Sequence, residues 1–287
     1  MSVNHFPSDA PDDEGVYEIW SMCYARGERR VHDHFMFPDM HDGPMPLDYN
    51  LWILRNARRV ILIDTGFAPR AAIARNRPLI FDPIEGLRQI GIDPDEIEDI
   101  VITHLHYDHA GNIDRFGKAR FHVQDGEVEF ATGRCMCDQH HRFPYDVEDI
   151  VSLVRRLHAD RVVFHDGDGE LFPGVTLRAF PGHSAVVQGV RVMTARGPVL
   201  LASDATHYFA NILNMKPFVL TLDTVATLDS YQRALALAGG ADRLIPGHDP
   251  KIRRLYPAHD VNGIELLALH EVPNHVPAEE LARTNDY

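Results

Sequence analysis

Residues 102–112 read Ile-Thr-His-Leu-His-Tyr-Asp-His-Ala-Gly-Asn, and four side chains in this stretch are of types that bind transition metals. His104 and His106 are two positions apart, so an extended chain points both imidazoles to the same face. Asp108 and His109 follow where the chain can turn, and adjacent side chains diverge there. One short segment can therefore reach two neighbouring ions. Imidazole together with carboxylate suits Zn²⁺ or a similar first-row metal.

One local arrangement recurs along the chain, within this stretch and outside it. A short apolar run predicted to be a strand ends, the chain turns on small residues, and a His or Asp stands in the turn. The arrangement is found at Asp64, His104, His183, Asp204 and His248. Polar groups just past strand ends project into a shared crevice at the sheet edge, where α/β folds commonly build their sites. The pattern predicts one site that combines these side chains.

Five motifs in a fixed order carry a resemblance to a known family. His-x-His-x-Asp-His at residues 104–109 is similar to the hallmark of the metallo-β-lactamase superfamily. The first, third, fourth and fifth superfamily motifs are matched by Leu-Ile-Asp-Thr-Gly (62–66), Pro-Gly-His-Ser (181–184), Ala-Ser-Asp-Ala (202–205) and Pro-Gly-His-Asp (246–249). The resemblance covers most of the chain. It implies an α/β fold of the αβ/βα four-layer sandwich type, with the site at one edge.

The resemblance also implies two divalent metal ions, which we take to be Zn²⁺. Carried over residue by residue, it assigns the first ion to His104, His106 and His183, the second to Asp108, His109 and His248, and a bridging position to Asp204. Asp64 is expected to orient a ligand histidine through its free ring nitrogen. Two cations roughly 3.5–4 Å apart share a water and lower its pKa towards neutrality, and the activated water attacks an acyl carbonyl.

Within the superfamily, the overall resemblance is to the N-acyl homoserine lactonases. The phrase His-Leu-His-Tyr-Asp-His-Ala-Gly-Asn, the chain length and Ser-Asp-Ala at residues 203–205 are similar to theirs. The predicted function is the opening of a lactone, or of a related ester, of a small molecule. The alternatives are thioester hydrolysis of the glyoxalase II type, amide hydrolysis, and oxidation at a single iron as in the superfamily's sulfur dioxygenases.

The candidate catalytic residues are Asp108, which is also a candidate ligand, together with His207 and Tyr208. A nearby acid can take up leaving-group charge, and Asp108 is the acid assigned here. The resembling lactonases commonly carry a Tyr three residues after the bridging Asp, where its hydroxyl assists at the substrate carbonyl. That position is His207 in this chain and Tyr208 comes next, so either is a candidate donor.

The amino-acid composition limits which kinds of partner and which location are expected for the protein. The 287 residues include 28 Lys and Arg against 42 Asp and Glu, which gives a formal net charge of −14. A surface this acidic repels phosphate backbones, so nucleic acid is not expected as a partner. Three cysteines do not form a disulfide framework. Apolar runs are far shorter than a membrane span, and the acidic first residues do not resemble a secretory signal, so we expect a cytoplasmic protein.

The chain shows no Pro/Ser-rich linker, and we expect a flexible N-terminus over residues 1–15 and a single domain over residues 16–287. Residues 133–144 are predicted to be irregular. The Cys-Met-Cys-Asp-Gln-His-His run at residues 135–141 lacks the spacing of a structural zinc site and is interpreted as a loop. By analogy with lactonase-like proteins we expect a homodimer, with residues 133–157 as the candidate surface.

Overall fold

The computed structural model describes residue 6, residues 10–37, residue 40 and residues 42–287. Thirteen strands lie within these residues: β1 Glu18–Gly27, β2 Leu47–Arg55, β3 Val60–Ile63, β4 Asp99–Val101, β5 Arg120–Gln124, β6 Val162–His165, β7 Gly169–Phe172, β8 Val175–Phe180, β9 Val187–Thr194, β10 Gly197–Ser203, β11 Leu244–Pro246, β12 Ala258–Val261 and β13 Ile264–Ala268. The α-helices of the same residues are α1 Pro69–Arg75, α2 Pro83–Gln89, α3 Tyr107–Ala110, α4 Asp125–Thr132, α5 Gln139–Arg142, α6 Val147–Leu157, α7 Phe209–Leu213, α8 Thr224–Ala238, α9 Ile252–Leu255 and α10 Ala278–Leu281.

Two sheets form the centre of the molecule. The first has eight strands in the order β12-β13-β1-β2-β3-β4-β5-β6, and the second has five in the order β11-β10-β9-β8-β7. In the first sheet the strands from β3 to β6 run parallel, which brings their carboxyl ends to one edge. In the second sheet β11 lies parallel to β10, so the carboxyl ends of these two strands also coincide.

The two sheets pack face to face, and helices cover their outer sides. Trp52 and Ile63 of the first sheet share one buried cluster with Val190 and Leu201 of the second. Tyr231 of α8 joins that cluster. A second buried cluster lies on the other face of the first sheet, where residues of α2 and α6 pack against the strands. The order helix, sheet, sheet, helix confirms the predicted αβ/βα four-layer sandwich.

Strong local signals mark both ends of helix α8. Asp223 caps its first turn, and Gly239, with φ 73°, caps its carboxyl end. The hairpin of β12 and β13 was not predicted from the sequence. Asn262 and Gly263 connect the two strands, and both residues have a positive φ. Asn-Gly is the dipeptide that favours a tight hairpin turn, so the signal was present. The insert predicted to be irregular contains a 3-10 helix, Arg134–Cys137, followed by α5.

The described residues of the N-terminal segment contact the folded body. Phe6 packs on Trp20 with ring centroids 5.8 Å apart, and Glu14 forms ion pairs with Arg58 and Arg59. For residues 1–5 and 7–9, the expected flexibility lies outside the described residues. Across the described part of the chain, we find no helix that combines the length and the apolar character needed to cross a bilayer.

Candidate metal centre

The candidate ligands come together because each follows the carboxyl end of a strand. His104 comes three residues after β4, and Asp64 directly follows the neighbouring β3. His183 lies in the turn after β8, Asp204 directly after β10 and His248 in the turn after β11. The site therefore lies at the edge where strand ends of both sheets meet, as the sequence pattern predicts.

The carboxylate of Asp204 stands between two groups of imidazoles. Its Oδ2 lies 3.7 Å from Nε2 of His104 and 3.3 Å from Nε2 of His183. Its Oδ1 lies 3.4 Å from Nε2 of His109 and 3.0 Å from Nε2 of His248. The two oxygens of one buried carboxylate thus face two different sets of ring nitrogens, which is the placement expected of a bridging ligand.

The remaining two candidates complete the two groups. Nδ1 of His106 lies 3.1 Å from Nε2 of His183. Oδ2 of Asp108 lies 3.8 Å from Nε2 of His109 and 3.9 Å from Nε2 of His248. Ligands about 2.0–2.1 Å from one tetrahedral ion are roughly 3.3 Å apart, so these separations suit a shared cation. The structure brings all seven candidates together.

Several polar atoms at the centre of the cluster lack the partners that buried groups normally have. Among the described residues, no hydrogen-bond partner is present for Nε2 of His104, Nε2 of His109 or Oδ1 of Asp204, and all three atoms are buried. These atoms point toward one another across the cluster, where a cation would satisfy all of them. The donor set therefore fits two divalent metal ions.

The opposite ring nitrogens of three ligands are held in place. Nδ1 of His109 lies 2.7 Å from Oδ2 of Asp64, which confirms the orienting contact predicted for this carboxylate. Nδ1 of His248 donates to the carbonyl oxygen of Asp48 at 2.8 Å. Nδ1 of His104 lies 3.2 Å from the hydroxyl of Thr103. Such contacts fix the tautomer and orientation of a ligand imidazole before any ion binds.

Burial and charge set the protonation of the cluster. Burial lowers the pKa of His104 and His106 well below the usual value, so both rings are neutral, the form that binds a metal. Burial also acts to lower the pKa of His109, but the nearby carboxylates, Asp204 first among them, outweigh it and raise that pKa. For Asp204, burial acts to raise the pKa, and the surrounding imidazoles reverse this and hold it well below the ordinary range. The centre thus combines an ionised bridge with two neutral imidazole donors, His104 and His106, whereas the nearby carboxylates favour the protonated form of His109.

Small residues let the motif turns approach each other. A Cβ added to Gly247 would lie 2.6 Å from Oδ1 of Asp204, so only glycine leaves room for the bridging carboxylate. Ser203, immediately before the bridge, has φ 49°, a conformation that non-glycine residues rarely adopt. Strain of this kind persists where the surrounding structure enforces it, and it is common at functional sites.

His207, a candidate catalytic residue, lies at the metal cluster. Its Nε2 is 3.1 Å from Oδ2 of Asp204, and its ring stacks on Phe218 with centroids 3.5 Å apart and an interplanar angle of 12°. Burial lowers the pKa of His207 to about 4, so the ring is neutral near pH 7. The structure places this side chain over the cluster, as the sequence pattern suggests for a residue three positions past Asp204.

Tyr208, the alternative donor, points elsewhere. Its hydroxyl donates to the carbonyl oxygen of Pro46 at 3.0 Å and lies 3.1 Å from Nε2 of His34. The side chain is fully buried and does not line the cavity over the cluster. This placement does not support the expectation that Tyr208 donates to the substrate, because its hydroxyl is engaged with Pro46 and His34 and its side chain does not line the cavity.

A cavity of about 590 Å³ opens over the cluster, and a second one of about 340 Å³ adjoins it. The walls of the larger cavity include several residues that were not singled out from the sequence: Arg29, Asp33, His34, Tyr49, Arg75, Arg77 and Tyr107. Tyr107 stands inside the ligand motif, but the sequence around the other six carries no motif. Only their tertiary position reveals them.

The insert at residues 135–141 does not form a metal site of its own. Among the described residues, all groups of His, Cys, Asp and Glu arranged to hold an ion draw on the centre described above. Cys135 and Cys137 are free, and His140 and His141 line the smaller cavity instead. The interpretation of this run as a loop is wrong for most of its residues, which lie in the 3-10 helix Arg134–Cys137 and in α5.

Comparisons with known proteins agree with this geometry. The sequence profile described as the metallo-beta-lactamase superfamily matches residues 45–248. N-acyl homoserine lactonase AiiB of Agrobacterium fabrum is 32% identical over 212 residues, which cover 64% of this chain and 76% of that protein.

Solved structures give the same result for the fold. A quorum-quenching N-acyl homoserine lactone lactonase superposes with a TM-score of 0.70 at 26% identity, covering 84% of this chain and 96% of that one. An N-acyl homoserine lactone hydrolase with the product N-hexanoyl-L-homoserine at its catalytic metal centre superposes with a TM-score of 0.69 at 25% identity, covering 82% of this chain and 94% of that one.

Proposed function

Because the chain belongs to the metallo-beta-lactamase superfamily, we propose that it is a hydrolase with two metal ions that opens a lactone or a related ester. One observation carries the proposal. The two oxygens of Asp204 face two separate groups of ligands, His104 with His183 on one side and His109 with His248 on the other. A single carboxylate placed in this way suits a pair of ions, whereas a site for one ion needs no bridge.

His104, His106 and His183 would hold the first ion, Asp108, His109 and His248 the second, and Asp204 would bridge them. Two divalent ions so bound supply an activated water near neutral pH and polarise a carbonyl oxygen. Other residues of the chain hold the ligand side chains in fixed orientations. Asp64 holds the ring of His109 and the carbonyl of Asp48 holds that of His248, so the site is organised before substrate arrives.

Asp108 is the candidate for handling the proton released during the reaction. Its side chain is 11% exposed, more than that of Asp204 at 4%, and it lines the larger cavity. An acid that borders both the ligands and the cavity can accept a proton from the attacking water and pass it to the leaving group. His207 would assist as a neutral hydrogen-bond donor beside the bridging carboxylate, held there by Phe218.

The choice of a lactone rests on the relatives. AiiB and the two superposed structures are named as N-acyl homoserine lactonases, and one of them contains the ring-opened product at its metal centre. The cavity of about 590 Å³ over the cluster suits a small molecule. Thioester and amide substrates need the same activated water, and a hydrolysis screen should include them beside lactones.

The test combines metal analysis with that screen. Asp204→Ala should lower zinc content at both sites, since a bridging carboxylate belongs to each, and should abolish lactone hydrolysis. Asp229→Ala is the matched control, because this exposed carboxylate of α8 lies outside the centre. A variant without Asp204 that keeps two zinc ions and full activity would refute the proposal. One iron per chain in the purified protein, with no lactone turnover, would favour oxidation instead.

We also propose a homodimer formed through residues 133–157. Helix α6 leaves Val147, Val154 and Leu157 exposed, at 69%, 37% and 37% of their surface, so an apolar strip faces solvent there. Light scattering at micromolar protein tests this. A dimeric mass that falls to that of a monomer in Val147→Glu supports it, and a monomer of the unaltered protein contradicts it.

A further inference from the structure

The space over the metal cluster has two chemically different ends. The smaller cavity forms one end, and its wall includes Phe130, Phe143 and Leu222. Within the described residues, this wall contains no carboxylate, lysine or arginine. The two cavities share His106 and His183, so the apolar end opens beside the ligands of the first ion.

The other end carries positive charge. The larger cavity is lined by three half-buried arginines, Arg29, Arg75 and Arg77. Arg75 donates to the carbonyl oxygens of Phe143 and Tyr145, and Arg77 donates to the carbonyl of Arg75 itself. Among the described residues, the guanidinium of Arg29 forms no ion pair with a carboxylate. Carbonyl partners leave the charge of an arginine uncompensated, so this wall is cationic although the chain as a whole is acidic.

These arginines lie on the side of the second ion. The ring of Tyr49 packs against His248 with centroids 5.5 Å apart, and its hydroxyl lies 3.3 Å from that of Tyr107. The guanidinium of Arg75 lies over the ring of Tyr107 at 4.1 Å. Arg29 lines the same cavity as Tyr49, Tyr107 and His248.

One acid outside the metal cluster also lines this cavity. Asp33 accepts a hydrogen bond from the backbone N–H of Arg30 at 2.9 Å and lies 3.3 Å from Nε2 of His32. Its carboxylate is therefore engaged within its own turn. On this wall, the guanidinium of Arg29 has no hydrogen bond or ion pair to any of the described residues, so it is available to bind an anion.

We propose that the substrate of this centre carries an anionic group, of the carboxylate class, which Arg29 binds on the side of Asp108 and His248 while an apolar arm enters the cavity lined by Phe130 and Leu222. The inference rests on the proposed hydrolase function and adds the charge and orientation of the substrate. A carboxylate is the group that a guanidinium recognises best, because two parallel N–H donors match its two oxygens.

The experiment compares two γ-lactones with the same hexyl arm, one with a ring carboxylate and the other with the corresponding carboxamide. The zinc-loaded protein should prefer the carboxylate. Arg29→Met should raise KM for the carboxylate about ten- to a hundredfold, the range expected for a lost hydrogen bond to a charged group, and should leave KM for the carboxamide unchanged. Arg29→Lys, which keeps the charge, should recover part of the loss. Arg30→Met is the control, since Arg30 is exposed and pairs with Asp42.

Equal KM values for the two lactones, unaffected by Arg29→Met, would overturn the inference and leave the hydrolase function standing. If neither lactone is hydrolysed, the proposed function fails, and calorimetric binding of the same two compounds to zinc-loaded protein then decides the inference separately. Tighter binding of the carboxylate that is lost in Arg29→Met supports an anion site. Equal binding of both compounds refutes it.

Discussion

Glu127 offers a test of how the fold supports the metal centre, because this residue touches no candidate ligand directly. It lies on α4 and is 1% exposed. Its carboxylate accepts hydrogen bonds from the backbone N–H of Leu105 at 3.0 Å, from the hydroxyl of Tyr145 at 3.0 Å and from the backbone N–H of Val186 at 3.4 Å. Leu105 separates His104 from His106, and Val186 follows the turn of His183. One buried acid therefore secures the backbone beside three ligands.

Glu127→Ala should destabilise the protein by about 2–4 kcal/mol. Leaving the two closer donors, Leu105 N–H and the Tyr145 hydroxyl, without an acceptor costs about 1–3 kcal/mol each. The net destabilisation is smaller than this sum, because burial raises the pKa of Glu127 and makes its ionised form unfavourable in the native protein. Loss of an outer-shell contact of this kind typically weakens metal binding about 10- to 100-fold. Glu127→Gln keeps one acceptor oxygen. Its stability and its zinc affinity should both lie between those of the unaltered protein and those of Glu127→Ala.

The assay is urea unfolding of the metal-free protein together with competitive chelator titration of the zinc-loaded protein. Glu129→Ala is the matched control, because Glu129 lies on the same helix and is exposed. The control should change neither the free energy of unfolding nor the zinc affinity. If Glu127→Ala loses stability but keeps its zinc affinity, the backbone of the ligand segment is not secured by this carboxylate, and the reasoning is wrong.

Three further predictions address other parts of the molecule. His207→Ala should keep both zinc ions and lose about 10²- to 10⁴-fold in kcat, whereas Tyr208→Phe should lose little, and kinetics with metal analysis of both variants decide it. Burial lowers the pKa of His34 to about 4, so its contribution to stability is complete above about pH 6.5 and is lost as the pH falls towards 4. His34→Gln should reduce that acid-side loss by about 3 kcal/mol in urea unfolding at a series of pH values, and an unchanged profile contradicts it. Lys251, whose Nζ donates to the carbonyls of residues 280, 281 and 283, anchors the C-terminal segment. Lys251→Met should cost about 3 kcal/mol and speed hydrogen exchange in residues 278–287, and unchanged exchange there would contradict this anchoring role.

The grouping of the candidate ligands could be predicted from the sequence because the signals for it are local. Each ligand stands in a short motif directly after an apolar strand, and the order of the motifs fixes how the strands must meet. His104, His183 and His248 would each be unremarkable as single turn residues. Their convergence on Asp204 follows from the sheet edges, and parallel strands bring their carboxyl ends together.

The surroundings of the centre could not be predicted in the same way. Glu127 stands in an ordinary amphipathic helix, and nothing in its neighbours marks it as the acceptor for the ligand segment. Tyr208 shows that a residue next to a site residue in the sequence need not face the site. It is adjacent to His207 in sequence, but successive side chains of an extended segment point in opposite directions, and its hydroxyl contacts Pro46 instead of the cavity.

The arrangement of charge around the site suggests how one scaffold can change substrates without changing its chemistry. In the proposed function, the ligands and Asp64 are fixed by the reaction, since each would either hold an ion or orient a residue that does. A large part of the cavity wall comes from the segment before β2, from α1 and from the loop after α7, none of which supplies a ligand. Arg29 can therefore be replaced by a neutral residue with little effect on the metal centre. That replacement would change the charge of the substrate that the site prefers. Specificity and catalysis are separable here because they reside on different elements of the fold.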